Sequence, residues 1–252
     1  MAIEPWRKGV VIKIEQQTHS TRRFFIQIPE LDRFDFKPGQ FVTLDLPIHE
    51  KPNKRWRSYS IASWPDGSNV IELCIVLLDD GLGTHYLFNE VKEGSEFTLR
   101  GPVGVFTLPD LLENDLFLIC TGTGVAPFRS MIHHIINNNI PHKDIHLIFG
   151  CRKFGDALYA NELKDIMRKD SGFFFHTCYS REEPVNLGHL VRIGYVHQVY
   201  EELINEYQRQ NNGELKPANF FICGWKNMID QAKHRLLEIG YDKKSIHLEL
   251  YG

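Results

Sequence analysis

The chain of 252 residues has no run of about 18 or more apolar residues, so a membrane-spanning helix is not expected. Its charge is nearly balanced, with 29 Lys/Arg against 32 Asp/Glu and a net charge of -3. It therefore lacks the basic surplus with which a sequence-independent nucleic-acid binder holds phosphates. Residues 1–9 carry neither the apolar stretch of a secretory signal nor a long Ser/Arg-rich leader, which predicts a cytoplasmic protein. The cysteines are few, odd in number and far apart: Cys74, Cys120, Cys151, Cys178 and Cys223. None has the close spacing of a zinc or iron–sulfur ligand set, so no metal centre is expected. Cys74, Cys120 and Cys178 lie in apolar surroundings and read as buried, reduced thiols. No internal repeat is present.

What the chain does contain changes character midway. Residues 10–14, 23–28, 40–46, 57–62, 70–77 and 96–100 are short, apolar or alternating, and bounded by Pro, Gly, Asp or Asn. Six such strands, with only one helical turn at 84–89, predict an N-terminal antiparallel β-barrel over residues 1–108. Beyond that, apolar strands at 116–121, 145–149, 173–179, 220–223 and 246–250 alternate with helical patterns. Phe128, Met131, Ile132, Ile135 and Ile136 recur at helical spacing, and Ile229, Ala232, Leu236 and Leu237 mark a helix that stops at Gly240. Residues 109–252 are thus expected to form an α/β domain with a doubly wound parallel sheet.

In such sheets ligands sit at the carboxyl ends of the strands. There the chain places Thr121-Gly122-Thr123-Gly124, with Pro127 opening the next helix. Glycines let the backbone approach a pyrophosphate, and a helix N-terminus offers it unpaired N–H groups. The next strand ends carry Cys151-Arg152, Ser180-Arg181 and Cys223-Gly224. Two guanidinium groups and a hydroxyl suit a phosphate dianion. An adenosine 2′-phosphate is the natural candidate, which favours NADP over NAD.

Together these residues resemble the ferredoxin–NADP reductase superfamily over essentially the whole chain. Arg57-Ser58-Tyr59-Ser60 matches the family's Arg-x-Tyr-Ser motif, and Pro38-Gly39-Gln40-Phe41 matches the turn before it. The resemblance implies an FAD site in which Arg57 pairs with the pyrophosphate, Tyr59 lies against the isoalloxazine and Ser60 sits near flavin N5. It implies that Cys74, Ile75 and Val76 offer backbone groups to FAD. Gly81-Leu82-Gly83-Thr84 resembles the glycine turn that holds the pyrophosphate at a short helix, and Gly101 to Gly104 the turn that closes the barrel. In the second half, residues 122–128 match the family's NADP loop. Cys223-Gly224 followed by Met228 matches its Cys-Gly motif, where the cysteine helps place the nicotinamide. The ending Glu249-Leu250-Tyr251-Gly252 is most similar to the plant-type branch, in which a Glu supports the nicotinamide site and a terminal Tyr stacks on the flavin. Here Gly252 follows the Tyr. Arg192 stands where that branch has a Tyr near the adenine; it could stack on the adenine or contact the 2′-phosphate, or Tyr195 could take the stacking role.

The expected chemistry is hydride transfer from NADP(H) to FAD, with Ser60 on one side and Thr121, Cys223 and Glu249 on the other, and no covalent intermediate. Without cluster-binding cysteines, the one-electron acceptor is expected to be a separate ferredoxin or flavodoxin. Residues 1–57 hold eleven Lys/Arg against seven Asp/Glu, a surplus that includes Lys51, Lys54 and Arg55 and could steer an acidic carrier. The competing readings are an NADH-dependent reductase feeding an oxygenase, a free-flavin reductase, and an FAD-binding electron-transfer subunit without nicotinamide turnover.

Overall fold

The computed structural model describes residues 4–183 and 190–251. Its first six strands are β1 (Trp6–Thr18), β2 (Thr21–Gln27), β3 (Phe41–Asp45), β4 (Trp56–Ser60), β5 (Val70–Val76) and β6 (Glu96–Val103). All their pairings are antiparallel, in the order β4-β3-β6-β1-β2-β5. The two outer strands meet: Ile61 bridges Leu73, and the Ala62 N–H donates to the Glu72 carbonyl at 2.8 Å. That contact closes the sheet into the expected barrel. Val11, Phe24, Ile26, Leu44, Leu73 and Leu99 fill its interior, all almost fully buried.

One strand is much longer than its apolar pattern suggests. β1 spans 13 residues, pairing with β6 from Trp6 and with β2 to Thr18. Its register against β2 shifts between Val11 and Lys13 and again between Gln16 and Thr18. Each irregularity breaks the period-two alternation, so the sequence shows only the central segment. The single helix of this half, α1, covers Leu82–Asn89.

The second sheet is wholly parallel. It comprises β7 (Asp115–Thr121), β8 (Ile145–Cys151), β9 (Phe173–Tyr179), β10 (Val191–Ile193), β11 (Ala218–Gly224) and β12 (Ile246–Leu250), in the order β10-β9-β8-β7-β11-β12. The helices are α2 (Val125–Asn137), α3 (Ala160–Lys169), α4 (Val196–Gln210) and α5 (Lys226–Ile239). α5 stops at Gly240, whose φ of 114° ends the helix in the left-handed conformation. Phe117, Phe220, Val199, Tyr200, Ala232 and Leu236 form the core between α4, α5 and the sheet. The order reverses beside β7, so the gap between β7 and β11 is the topological switch point. Five strands were expected and six are found. β10 has three residues with Arg192 at its centre, too short and polar to stand out in sequence.

Tertiary contacts group the residues up to Leu108 with Ala126–Asn138, and Pro109–Val125 with the residues from Asn139 onward. Most of α2 therefore clusters with the barrel. A buried charge network accounts for much of that. Glu72, 3% exposed, accepts two hydrogen bonds from Arg23, at 2.7 and 2.8 Å. Arg129 of α2, 4% exposed, donates to Glu72 Oε2 at 3.1 Å and to the Ala62 carbonyl at 2.8 Å. His133 of α2 stacks on Trp64, with centroids 3.9 Å apart. Arg129 and Glu72 are buried, and Arg23, half-buried and shared with Glu15, completes the network; a buried carboxylate is tolerable only while it remains paired. Glu72→Gln is expected to destabilise the fold by about 3–5 kcal/mol, read as a lowered midpoint in urea unfolding. An unchanged midpoint would show that the network contributes nothing.

Candidate cofactor-binding site

On the barrel, the residues of the Arg-x-Tyr-Ser motif occupy β4 and alternate in direction as a strand requires. β4 pairs with β3, setting Leu44 opposite Arg57, Thr43 opposite Ser58, Val42 opposite Tyr59 and Phe41 opposite Ser60. Ser58 shares a 3.0 Å hydrogen bond with Thr43. Ser60 is buried, and burial pushes the Tyr59 phenol above its ordinary range despite the opposing charge of Arg57. Arg57 is held by its own neighbourhood: its Nη1 donates to the carbonyls of Lys54 and Trp56, at 3.0 and 2.8 Å.

The Arg57 side chain runs over Gly83, in the first turn of α1. A Cβ on Gly83 would lie 3.0 Å from Arg57 Cγ and 3.3 Å from its Nε. A guanidinium thus stands at a helix N-terminus, where unpaired N–H groups and the helix dipole already favour an anion. Thr84 keeps that turn tight, donating to the Gly81 carbonyl at 2.9 Å and accepting from the Leu78 N–H at 3.1 Å. Leu82, at the first helical position, is exposed. Cys74 and Ile75 are buried and Val76 half-buried, on β5 beyond the bridge at Leu73 that closes the barrel. The upstream turn joins this frame through Gln40, which accepts from the Lys37 N–H at 2.9 Å and donates to the Gly104 carbonyl at 3.3 Å.

In the parallel sheet, the glycine turn packs directly onto the Cys-Gly motif across the switch point. A Cβ on Gly124 would come within 2.4 Å of the Cys223 carbonyl oxygen, and one on Gly224 within 2.5 Å of Thr121 Oγ1. Gly224 also has a φ of 150°, which disfavours any side chain. Thr121 Oγ1 is buried against Gly224 without a hydrogen-bond partner. A 3-10 turn at Gly122–Gly124 then leads into α2. The result is a glycine backbone at a helix N-terminus, shaped to admit a phosphate chain.

Cys223 is fully buried and lies beside Glu249 in the β11–β12 register. Burial pushes its thiol well above the usual range; Glu249 and Cys120 add to the rise, and a hydrogen bond with Tyr251 opposes it. The thiol is therefore neutral at physiological pH and is no nucleophile. Tyr251 is half-buried, and its backbone N–H donates to the Gly224 carbonyl at 2.9 Å. Cys223, Gly224, Glu249 and Tyr251 thus meet at one end of the sheet. Gly252 lies outside the described residues.

The strand ends on the other side carry the predicted cations. Arg152, Ser180 and Arg181 are exposed, and their loops are laced by backbone bonds from Ser180 N–H to the Cys151 carbonyl (3.0 Å) and from Arg181 N–H to the Arg152 carbonyl (2.9 Å). Cys151 donates to the Lys153 carbonyl; burial, with Asp156 next, pushes its thiol up to about 12. Arg192 pairs with Glu202 of α4 at 3.2 Å, so its charge is partly offset. Tyr195 is 67% exposed. Among the basic residues of the barrel, Arg55 makes ion-pair contacts with Asp45 at 2.8 and 2.9 Å, which offsets the charge assigned to it in the basic surplus. Lys51 and Lys54 are exposed.

Sequence reasoning missed one assembly next to the motif. Trp56, just before Arg57, lies 5.6 Å from Trp6, and the Arg100 guanidinium sits over both rings at 4.9 and 5.4 Å. These residues come from three strands, and no local pattern joins them.

The comparisons agree with this division of labour. Residues 8–108 match the oxidoreductase FAD-binding domain family and residues 118–234 the oxidoreductase NAD-binding domain family. Ferredoxin--NADP reductase B of Sorangium cellulosum is 32% identical over 219 residues, covering 86% of each chain. The glycine betaine monooxygenase reductase subunit of Pseudomonas aeruginosa is 29% identical over 241 residues, 96% of this chain; the chain spans 63% of that relative's length. Further curated relatives are reductase or electron-transfer components of oxygenases. In fold, the chain is similar to a cytochrome P450 reductase of Amycolatopsis, with a TM-score of 0.83 at 23% identity, covering 99% of this chain and 71% of the other. A barrel that suits one dinucleotide and a doubly wound sheet that suits another define a flavin- and nicotinamide-dependent oxidoreductase. The chain belongs to the ferredoxin–NADP reductase superfamily.

If Arg57 holds the FAD pyrophosphate, Arg57→Ala should weaken FAD binding roughly tenfold to a hundredfold, the worth of one or two charged hydrogen bonds. Arg57→Lys should recover only part of that, since it keeps the charge and loses the fork. FAD titration by fluorescence quenching checks both; equal affinities in all three proteins would remove Arg57 from the site.

Proposed function

We propose that this chain is the reductase of an oxygenase system: it oxidises a reduced nicotinamide cofactor and delivers electrons singly to a separate carrier such as a ferredoxin or flavodoxin. The observation that carries this reading is the presence of two phosphate-suited cradles in one chain, Arg57 over Gly83 on the barrel and Gly122–Gly124 against Cys223-Gly224 on the sheet. The oxygenase assignment draws on the relatives, in which oxygenase reductases recur.

FAD, when bound, supplies the chemistry: it accepts a hydride and releases electrons one at a time. The residues do the rest. Arg57, Gly83 and Thr84 hold the FAD pyrophosphate at the start of α1, while Ser58 and the backbone of Cys74, Ile75 and Val76 steady the flavin end. Tyr59 would lie against the isoalloxazine, and Ser60 would offer its hydroxyl to it. On the sheet, Thr121, Gly122, Thr123 and Gly124 receive the nicotinamide dinucleotide. Cys223, kept neutral, presents a small polarisable surface to the nicotinamide ring. Tyr251 hydrogen-bonds that thiol, and Glu249 lies beside it in the neighbouring strand. No group is required to exchange a proton with the reacting carbon, which suits a site whose central thiol is protonated.

Arg152, Ser180 and Arg181 are the groups that would contact a 2′-phosphate, and they favour NADPH. Arg192, offset by Glu202, adds less to that preference. Comparing kcat/KM for NADPH and NADH checks the assignment. The expected outcome is a preference for NADPH that falls at least about tenfold in Arg181→Ala, the loss of one charged hydrogen bond. Preference for NADH, with Arg181→Ala silent, would assign NADH instead.

A further inference from the structure

The amino edge of the parallel sheet carries a second constellation, at the opposite ends of the strands from the glycine turn. β7 and β8 pair with Phe117 opposite His146. Asp115 and Asp144 each stand two residues earlier on neighbouring paths, so both carboxylates fall on the His146 face, one row nearer the edge. One ligand atom from each of Asp115, Asp144 and His146 lies within 4.8 Å of the others.

His146 is the informative member. It is 5% exposed and its ring is clamped between Phe117 and Phe174, with centroids 4.9 and 5.0 Å away. Its Nδ1 lies 3.2 Å from His176 Nε2, while its Nε2 is buried with no hydrogen-bond partner. A buried, unpartnered ring nitrogen costs free energy unless something occupies it. In the tautomer in which Nδ1 donates to His176, Nε2 carries the lone pair, the arrangement in which a metal-binding imidazole is oriented by a second residue. The carboxylates already attract a cation: Lys216 Nζ lies 2.5 Å from Asp115 Oδ2 and 3.9 Å from Asp144 Oδ2. The same ammonium lies over the Tyr207 ring, whose centroid is 5.5 Å from Nζ.

We propose that Asp115, Asp144 and His146 bind a divalent transition cation of the Zn2+ class, in exchange with the Lys216 ammonium. Two carboxylate oxygens and one imidazole nitrogen are a ligand set that such an ion accepts, with a remaining position for water. No thiol takes part, so the wide cysteine spacing has no bearing on it. β7 has seven residues, which puts the site roughly 20 Å from the glycine turn at about 3.3 Å per residue. The cation therefore ties β7 to β8 and takes no part in hydride transfer.

Isothermal titration of the FAD-loaded protein with ZnCl2 under reducing conditions tests this. The expected result is one binding event per chain that weakens at least about tenfold in Asp144→Asn and in His146→Gln, as loss of a ligand requires. The same event should tighten in Lys216→Met, which removes the competing charge and leaves both carboxylates. Asp144 is half-exposed at 48% of its side chain, so its variant keeps the fold and decides the matter if His146→Gln does not fold. Flavin reduction by nicotinamide should be unchanged in Asp144→Asn. The proposal is overturned if the wild type takes up no Zn2+, if uptake is the same in Asp144→Asn, or if Lys216→Met leaves the affinity unaltered.

Discussion

Where β7 and β11 part at the centre of the parallel sheet, the backbone of Gly124 lies too close to the Cys223 carbonyl for even a methyl group to fit between them. This contact sets the geometry of the whole dinucleotide end. It brings the glycine turn against the Cys-Gly motif, packs the Thr121 hydroxyl onto Gly224, and leaves the N-terminus of α2 open to an anion. It depends on strand order, because only at a switch point do neighbouring strands send their connections apart. A glycine at 124 or 224 is therefore a steric requirement of the fold as much as of the ligand.

The barrel reaches a similar end by other means. Its strands close through Ile61, Leu73, Ala62 and Glu72, and the same Glu72 anchors the buried Arg129 and the half-buried Arg23. Charge is buried there because it is saturated with partners. The Arg57 side chain, by contrast, is tethered at its rim by two backbone carbonyls and drawn across Gly83. One arginine type thus serves two purposes, separated by burial: Arg129 locks a helix to the barrel, and Arg57 keeps its charge available beside a helix terminus. On the sheet, burial keeps the Cys223 thiol protonated beside Glu249.

Much of this could be read from the sequence, for physical reasons. The strands of the parallel sheet are buried on both faces and show as continuous apolar runs; the amphipathic helices show at their own period. The glycine turn is legible from its place between a buried strand and a helix, whereas the Arg-x-Tyr-Ser strand and the Cys-Gly pair are legible only through their resemblance to the family's motifs. What escaped depended on pairing between distant segments. β10 is short and polar and exists through its register with β9. The two ends of β1 were hidden by bulges. The Trp6, Arg100 and Trp56 stack, the Glu72 network and the His146 cluster each join side chains from separate strands, and no window of sequence contains any of them whole. The same holds for Arg192 and Arg55, whose partners Glu202 and Asp45 lie ten residues away in sequence.

The proposed function requires one chemical event, the transfer of a hydride from a reduced nicotinamide cofactor to FAD. The most direct measurement is the visible flavin absorption of the FAD-loaded protein after anaerobic mixing with NADPH or NADH in a stopped-flow cell. The account predicts rapid loss of the oxidised flavin band with at least one of the two nucleotides, before any carrier is added. An oxidised band that persists with both, while FAD remains bound, would contradict it and leave a flavin-binding subunit without nicotinamide turnover.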